Sequence, residues 1–171
     1  MWYEEKNNNN VIISSRVRLA RNLKDYPFYN FINEAQSKEV IEKVTKAIFN
    51  ERLNSQVCFE KIDFDNLDKI KQYVMLDKYI ISHNFIESKK PKALILEKNS
   101  NINIMINEED HIRIQSINSG YNIEKCFEEA NRVDNLLEET LAYAFDNQYG
   151  YLTSCISNVG TGLRASFMLY I

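Results

Sequence analysis

The segment INIMINEEDHIRIQSI, residues 102–117, decides the fold class of this 171-residue chain. Isoleucine occupies every second position from 102 to 106, and HIRIQSI, residues 111–117, repeats the alternation. A period of two is that of a β-strand whose two faces differ. Three consecutive carboxylates, Glu108 to Asp110, lie between the two runs. The segment therefore predicts two strands joined by an acidic turn.

The sequence on either side predicts further strands and helices. KALILEK, residues 92–98, and the polar NSN that follows predict a β-hairpin with the strand at 102–106. Apolar residues at helical spacing predict amphipathic helices over residues 34–52, 66–81 and 123–146. The pattern over residues 66–81 is less regular than the other two. The end of the chain is predicted to form a strand, a turn and a last strand at 151–157, 158–162 and 163–171. The expected fold class is α+β, a largely antiparallel β-sheet flanked by helices.

Composition limits the classes of protein that fit. The chain is 44% hydrophobic and 26% charged with a net charge of -3, which is typical of one globular domain and indicates neither nucleic-acid nor membrane binding. Three cysteines at no metal-ligand spacing and two histidines do not indicate a metal site, and reduced thiols favour the cytoplasm. We expect residues 1–10 to be a flexible lead-in and residues 11–171 to form the domain.

The first group of candidate functional residues is SSRVR, residues 14–18, followed by Arg21. In an extended segment Arg16 and Arg18 lie on the same side. Two adjacent guanidinium groups suit a polyphosphate, because each donates paired hydrogen bonds to anionic oxygens. A solvated basic edge is the alternative for an isolated R-x-R.

The second group is the acidic turn at Glu108 to Asp110, with Arg113 on the strand that follows. Three adjacent carboxylates repel one another. A solvated acidic turn is one interpretation, and a site for a cationic substrate or a metal is the other.

The third group is TSC, residues 153–155, which leads into NVGTGLR, residues 158–164. Cys155 is either a functional thiol or a buried, inert one. The two glycines of the second segment either bring backbone N–H groups to a phosphate or only turn the chain. Arg164 adds a further cation.

Taken together, four stretches resemble the ATP:guanidino phosphotransferase family, and within it the bacterial protein-arginine kinases. They are SSRVRLARNLKDYPF, INEEDHIRIQ, AYAFDNQYGYLTSC and NVGTGLRASFML, which begin at residues 14, 106, 142 and 158. The resemblance runs from about Val11 to Ile171 and implies the phosphagen kinase (glutamine synthetase-like) catalytic domain. The apolar end at Ile171, with no turn behind it, leads us to expect that this domain is incomplete.

The resemblance also implies roles for single residues. ATP-binding residues would be Ser14, Ser15, Arg16, Val17, Arg18, Tyr79, Arg113, Arg164, Ala165, Ser166, Phe167 and Met168. Glu108 and Glu109 would face the target guanidinium, with Glu109 the preferred catalytic carboxylate. Cys155 has the position of the family's reactive cysteine, although Ile156 follows it where the family usually has proline. Tyr79 stands where the family commonly has a histidine.

The function implied is phosphorylation of arginine side chains in proteins, with ATP and Mg²⁺. The segment before Ser14 is too short for the helical domain that precedes this motif in kinases of free arginine or other small guanidino compounds, which remain an alternative. A non-catalytic, partner-binding remnant is another, and we expect little activity from the 171 residues alone. The resemblance implies as partners arginine-bearing proteins, a zinc-containing activator protein, the protease–chaperone machinery of protein quality control and, for a full-length form, a second copy.

Overall fold

A computed structural model describes residues 1–4, 11–50, 58–98 and 101–170. The strands are β1 (Ile12–Arg21), β2 (Phe59–Ile62), β3 (Ala93–Glu97), β4 (Ile102–Ile106), β5 (Ile112–Ser119), β6 (Phe145–Asp146), β7 (Gly150–Tyr151) and β8 (Leu163–Leu169). The α-helices are α1 (Glu34–Ile48), α2 (Lys69–Asp77), α3 (His83–Glu87) and α4 (Ile123–Glu138), and short 3-10 turns cover Trp2–Glu4 and Ile156–Asn158. Within these residues no helix is both long and apolar enough to cross a bilayer.

Six strands form one sheet in the order β2–β3–β4–β5–β1–β8, and β6 and β7 form a small hairpin apart from it. Every neighbouring pair in the large sheet is antiparallel. In the predicted hairpin Ile95 lies opposite Ile104, while its turn at residues 99–100 lies outside the described residues. The α+β class with a largely antiparallel sheet is therefore confirmed.

Helices α1 and α4 cover one face of the sheet, because both carry an apolar stripe. Asn33 caps the start of α1 with a capping box. The backbone N–H of Gln36 donates to the Asn33 side chain, and the backbone N–H of Asn33 donates to the Gln36 side chain. The core on this side consists of strand and helix residues, among them Val17, Leu19, Ile104, Ile114, Val40, Val44, Ala130, Val133 and Leu137.

The opposite face is covered over only part of its width. Phe64, Ile80, Ile81 and Phe85, from the segment that contains α2 and α3, pack on Leu94 and Met105 of β3 and β4. On this face, no helix of the described residues forms a core with the remaining strands, β5, β1 and β8. This open part of the sheet is where the site lies.

The second predicted helix, 66–81, is wrong at both ends. Helix α2 begins at Lys69 and ends at Asp77, and Tyr79 then adopts a φ of 57°, in the left-handed region where a helix cannot continue. The turn directs the buried pair Ile80 and Ile81 at the sheet before α3 begins. Helix α1 ends at Ile48, and the last predicted residues of that helix, 51 and 52, lie outside the described chain.

The third predicted helix, 123–146, is wrong beyond Glu138. The Ala144 amide donates to the Asn22 carbonyl, and Tyr143 pairs with Leu23 at the end of β1. These backbone groups take partners across the fold, so the helix cannot use them.

The strand predicted at 151–157 is also wrong. Only Gly150–Tyr151 is extended and paired there, and Ile156–Asn158 form a 3-10 turn. The final strand ends at Leu169, with Ile171 outside the described residues. Residues 5–10 of the predicted lead-in also lie outside them, whereas the Trp2 indole donates to the Lys78 carbonyl at 3.0 Å.

Candidate active site

Four arginines converge on the open face of the sheet, which we call the arginine face: Arg16, Arg18, Arg113 and Arg164. The alternation of β1 places Arg16 and Arg18 on the same side. Register places Arg18 directly opposite Arg164 of β8, and it places Arg113 of β5 opposite Ala20, two residues further along β1. Side chains from three neighbouring strands therefore meet on one surface.

These arginines perturb one another. Burial and then, in decreasing order, the positive charges of Arg16, Arg113 and Arg164 together lower the pKa of Arg18 to about 10. Burial and then Arg164 lower the pKa of Arg16 in the same sense. Both groups stay protonated at neutral pH, so the face holds concentrated positive charge. The buried Nε of Arg18 has no hydrogen-bond partner among the described residues, as expected of a donor that awaits an anion.

Two neighbouring cavities open on the arginine face. The larger, of about 220 Å³, is lined by Ser14, Arg16, Tyr79, Ile117, Ser166, Phe167 and Met168. A small one of about 20 Å³ is lined by Arg18, Ala20, Arg113, Asn158, Gly162 and Arg164. A partly apolar cavity beside a cluster of guanidinium groups has the shape and chemistry for a base attached to a polyphosphate.

Tyr79 forms a wall of the larger cavity in a strained backbone conformation. Its carbonyl accepts from the Gln115 side chain at 2.7 Å, and its ring centroid lies 5.8 Å from the Arg16 guanidinium carbon. The Trp2 ring lies beside it, with 6.4 Å between centroids. Neighbours on three sides hold an aromatic ring where a purine could stack, and strain of this kind is common in ligand sites.

Arg113 joins the arginine face to the acidic turn. Its Nη1 lies 2.9 Å from the Glu108 carboxylate and its Nη2 lies 2.8 Å from that of Glu109. The Glu108 side chain is 0% exposed and also accepts from the Ser82 hydroxyl, which caps α3, whereas the Glu109 side chain is 34% exposed. Glu108 is therefore fully engaged, and Glu109 remains accessible to a ligand.

Both carboxylates line a third cavity, which we call the acidic cavity. It measures about 390 Å³ and is lined by Tyr29, Asn30, Asn84, Glu87, Ser88, Glu108, Glu109 and Ser154. Three carboxylates make this cavity suitable for a cation. One arginine therefore separates a site for an anion from a site for a cation.

Comparison with known proteins shows the family of the chain. The model of the family described as ATP:guanido phosphotransferase, C-terminal catalytic domain, matches residues 39–171. The chain belongs to the ATP:guanido phosphotransferase family. The matched residues include Arg113, Arg164 and the acidic turn, whereas Arg16 and Arg18 of β1 precede them.

The relatives found include protein-arginine kinases. That of Clostridium kluyveri is 44% identical over 172 residues, 98% of this chain and 48% of that protein. That of Brevibacillus brevis is 38% identical over 161 residues, 94% of this chain and 45% of that protein. The chain thus spans about half the length of the curated relatives it matches.

Solved structures of similar fold include a taurocyamine kinase and a lombricine kinase. The duplicated taurocyamine kinase from Schistosoma mansoni with bound transition state analog components has a TM-score of 0.81 at 24% identity over 94% of this chain and 24% of that one. Lombricine kinase has a TM-score of 0.79 at 21% identity over 95% of this chain and 49% of that one. At such identities the likeness shows the fold alone.

Not every residue of the SSRVR and RASFM segments reaches the arginine face of this family member. Ser15 and Val17 are buried on the helix-covered side, where the Ser15 hydroxyl donates to the Gly120 carbonyl. Ala165 pairs with Val17 and shares its side of the sheet. Their side chains therefore cannot touch a ligand that lies on the arginine face.

Cys155 lies next to the acidic cavity, since its neighbour Ser154 lines that cavity. The thiol is partly exposed, and its sulfur lies 3.0 Å from the Ser157 hydroxyl. The Ser154 amide donates to Asp110 at 2.7 Å, which ties the cysteine loop to the acidic turn. The side chain of Asp110 is thus structural, a role that sequence reasoning missed because its partners are remote in the chain.

The glycines of NVGTG turn the chain and do not offer amides to a ligand. The Gly160 amide donates to the Tyr151 carbonyl and the Gly162 amide to the Asn158 carbonyl. Gly162 has a φ of 62°, and a Cβ there would lie 2.4 Å from Nη1 of Arg21 and 2.5 Å from the Ala20 carbonyl oxygen. Gly162 is therefore required both by its backbone conformation and by the lack of room for a side chain.

Gly162→Ala is expected to lower the free energy of unfolding by at least about 2 kcal/mol, because left-handed strain alone costs about 1–2 kcal/mol. Urea unfolding measures this effect. Gly160→Ala is the control, since a Cβ there would lie 3.9 Å from the Tyr149 carbonyl oxygen, so backbone strain at its φ of 112° acts without a clash. Equal losses in the two variants would contradict the steric argument.

His111 anchors the far side of the acidic turn. The Leu23 amide donates to its Nδ1 at 3.0 Å, so the ring proton is on Nε2, which donates to the Pro27 carbonyl at 2.9 Å. Burial lowers the pKa of His111 from its ordinary value, with the Pro27 bond and Asp110 opposing the shift. The folded state therefore holds this imidazole neutral.

Stability is expected to fall as the pH drops below about 6.5, because the unfolded imidazole then binds a proton that the folded one resists. The contribution of His111 is fully present above that pH and declines by at most about 1.4 kcal/mol per unit below it. Urea unfolding at about pH 7.5 and about pH 5.5 measures the decline, which should shrink in His111→Asn. His83→Gln, at an exposed position, is the control; an equal change in both variants would refute the assignment.

Proposed function

We propose that this chain provides the ATP site and the acceptor site of an enzyme that phosphorylates arginine side chains of proteins. The observation that carries the proposal is Arg113, which belongs to the arginine face and holds two of the three carboxylates of the acidic cavity, Glu108 and Glu109. Phosphoryl transfer between an anionic donor and a cationic acceptor requires sites of opposite charge side by side.

At the donor end, the base of ATP occupies the larger cavity against Tyr79, near Ser14, Ser166, Phe167 and Met168. The triphosphate extends along Arg16 and Arg18 towards Arg113 and Arg164. Guanidinium groups neutralise charge on the transferring phosphoryl group, which is the largest contribution proteins make to this chemistry.

At the acceptor end, the target guanidinium enters the acidic cavity. The attacking nitrogen must give up a proton during the transfer, because a free guanidinium group is fully protonated at neutral pH. Glu109, the accessible carboxylate, takes that proton as the N–P bond forms and the bond from the γ-phosphorus to the ADP oxygen breaks. Glu108 stays with Arg113 and orients the acceptor, and Cys155 lies on the adjoining loop.

The acidic cavity favours an arginine within a protein over free arginine. None of its described lining residues is basic, so none offers a cation to the α-carboxylate that a free amino acid carries. An arginine within a polypeptide has no such carboxylate. The names of the bacterial relatives, protein-arginine kinases at 38–44% identity, support the same substrate class.

Magnesium accompanies the nucleotide in this proposal. In the described residues no three His, Cys, Asp or Glu side chains form a group that could hold a metal, and the nearest carboxylates already bind Arg113. Mg²⁺ commonly binds substrate phosphates and water with few protein ligands, so these residues fit an ion carried by ATP.

The free thiols of Cys58, Cys126 and Cys155 fit a cytoplasmic location.

The test measures binding of ATP by calorimetry and then of two acceptors in the presence of ADP: N-acetyl-arginine amide and free arginine. The chain is expected to bind ATP and to prefer the blocked arginine. Radiolabel transfer from ATP to an arginine-rich protein, with acid-labile label as the product, measures catalysis, and we expect little of it from this chain by itself. Absence of ATP binding would refute the proposal, and preference for free arginine would favour a kinase of a small guanidino compound.

A further inference from the structure

We propose that the buried Arg21–Asp134 pair is a positioning element that holds the 160–162 turn in place and thereby aligns Arg164 with Arg18 for a triphosphate. The inference rests on the proposed function, since it concerns how the same site recognises its nucleotide. Arg21 itself does not face that site, because the alternation of β1 directs it to the helix-covered side.

One half of the Arg21 guanidinium binds helix α4. Its Nε and Nη2 donate to the same carboxylate oxygen of Asp134, at 3.1 and 2.6 Å. The two side chains are 4% and 3% exposed. A charge pair this deeply buried is costly to desolvate and is strongly destabilising to break, so it restrains whatever else it touches.

The other half of the guanidinium binds the turn. Its Nη1 donates to the carbonyls of Ala20, at 2.8 Å, and Thr161, at 2.9 Å. The guanidinium carbon lies 3.6 Å from the centroid of the Tyr151 ring, which packs beneath it. A single side chain therefore connects β1, α4, β7 and the turn that precedes β8.

The turn transmits this restraint to the arginine face. The Ala20 amide donates to the Gly162 carbonyl at 2.8 Å, and from there β8 pairs with β1 so that Arg164 lies opposite Arg18. Ala20 and Gly162 also line the small cavity between these two arginines. A shift of the turn would therefore move Arg164, two residues beyond Gly162, relative to Arg18. The β8 residues that line the cavity beside Tyr79 begin at Ser166, further along the strand and paired with β1, so that cavity would keep its walls.

The test compares ATP with AMP, because AMP fills the cavity beside Tyr79 without needing Arg164. In Arg21→Lys and Asp134→Asn, ATP affinity is expected to fall at least about ten-fold, because the loss of one charged hydrogen bond between Arg164 and the triphosphate is worth about that much. AMP affinity is expected to fall by less than about two-fold. Arg132→Lys is the control, because the Arg132 guanidinium lies on the exposed side of α4, 3.9 Å from Glu97. It should change neither the ATP affinity nor the AMP affinity. Equal losses of ATP and AMP would reduce the pair to a structural role and overturn the inference, as would unchanged ATP affinity.

Amide hydrogen exchange gives a readout that needs no nucleotide. The Ala20 amide, which donates to Gly162, is expected to exchange faster in both variants than their loss of global stability accounts for. If the exchange rate of this amide follows global stability alone, the inference is overturned, whether or not the parent chain binds ATP. Failure of the parent chain to bind ATP is a separate result, which would refute the proposed function. If Arg21→Lys does not fold, Tyr151→Leu removes the ring beneath the guanidinium, keeps the ion pair and allows the same comparisons.

Discussion

Arg18→Ala is expected to weaken ATP binding by about 10- to 100-fold, the effect of losing one charge-assisted hydrogen bond of about 1.5–3 kcal/mol. Arg18 lies at the centre of the arginine face, opposite Arg164 and two residues from Arg16 along β1. Its buried Nε has no partner among the described residues, so a phosphate oxygen would complete its hydrogen bonding. Isothermal titration of the purified chain with ATP measures the change.

The controls separate local recognition from net charge. Arg132→Ala on α4 removes the same charge from the opposite side of the sheet and is expected to leave ATP affinity unchanged. Arg16→Ala should weaken binding as Arg18→Ala does, and the parent chain should bind ATP less tightly as ionic strength rises. Unchanged affinity in both arginine-face variants would show that the triphosphate does not lie there.

Arg113→Ala is expected to lower the free energy of unfolding by about 3 kcal/mol or more, because it leaves a buried carboxylate without its cation. The Glu108 side chain is 0% exposed and lies 2.9 Å from Arg113. The Ser82 hydroxyl and the Glu109 amide still donate to it, but neither carries a charge. Urea unfolding of the parent and variant chains measures the loss.

A double-mutant cycle tests the cause. Adding Glu108→Gln to Arg113→Ala removes the unpaired charge and should recover part of the lost stability. Glu109→Gln is the matched control: its side chain is 34% exposed, so loss of its ion pair should cost less than about 1 kcal/mol. No recovery in the double variant would mean that Arg113 stabilises the fold by packing and not by pairing with Glu108.

Local patterns in the sequence determined the parts of the fold and site that depend on neighbouring residues. The period of two in residues 102–117 specified strands, and the same alternation placed Arg16 and Arg18 on one side of β1. Arg113 follows Glu109 by four residues, so the sequence alone also predicted that Arg113 lies close to the acidic turn. Such features need no knowledge of the rest of the chain, because strand geometry alone sets where each side chain points.

The tertiary structure alone decided where elements end and which distant groups meet. The helices stop at Asp77 and Glu138, where the periodicity does not, because Ile80 and Ile81 pack on the sheet and the Ala144 amide binds the end of β1. Strand register brought Arg164 opposite Arg18, and a buried charge brought Arg21 to Asp134, 113 positions away. Hydrogen bonds and charges buried in a core must find partners wherever the fold supplies them, so no local pattern in the sequence reveals these pairs.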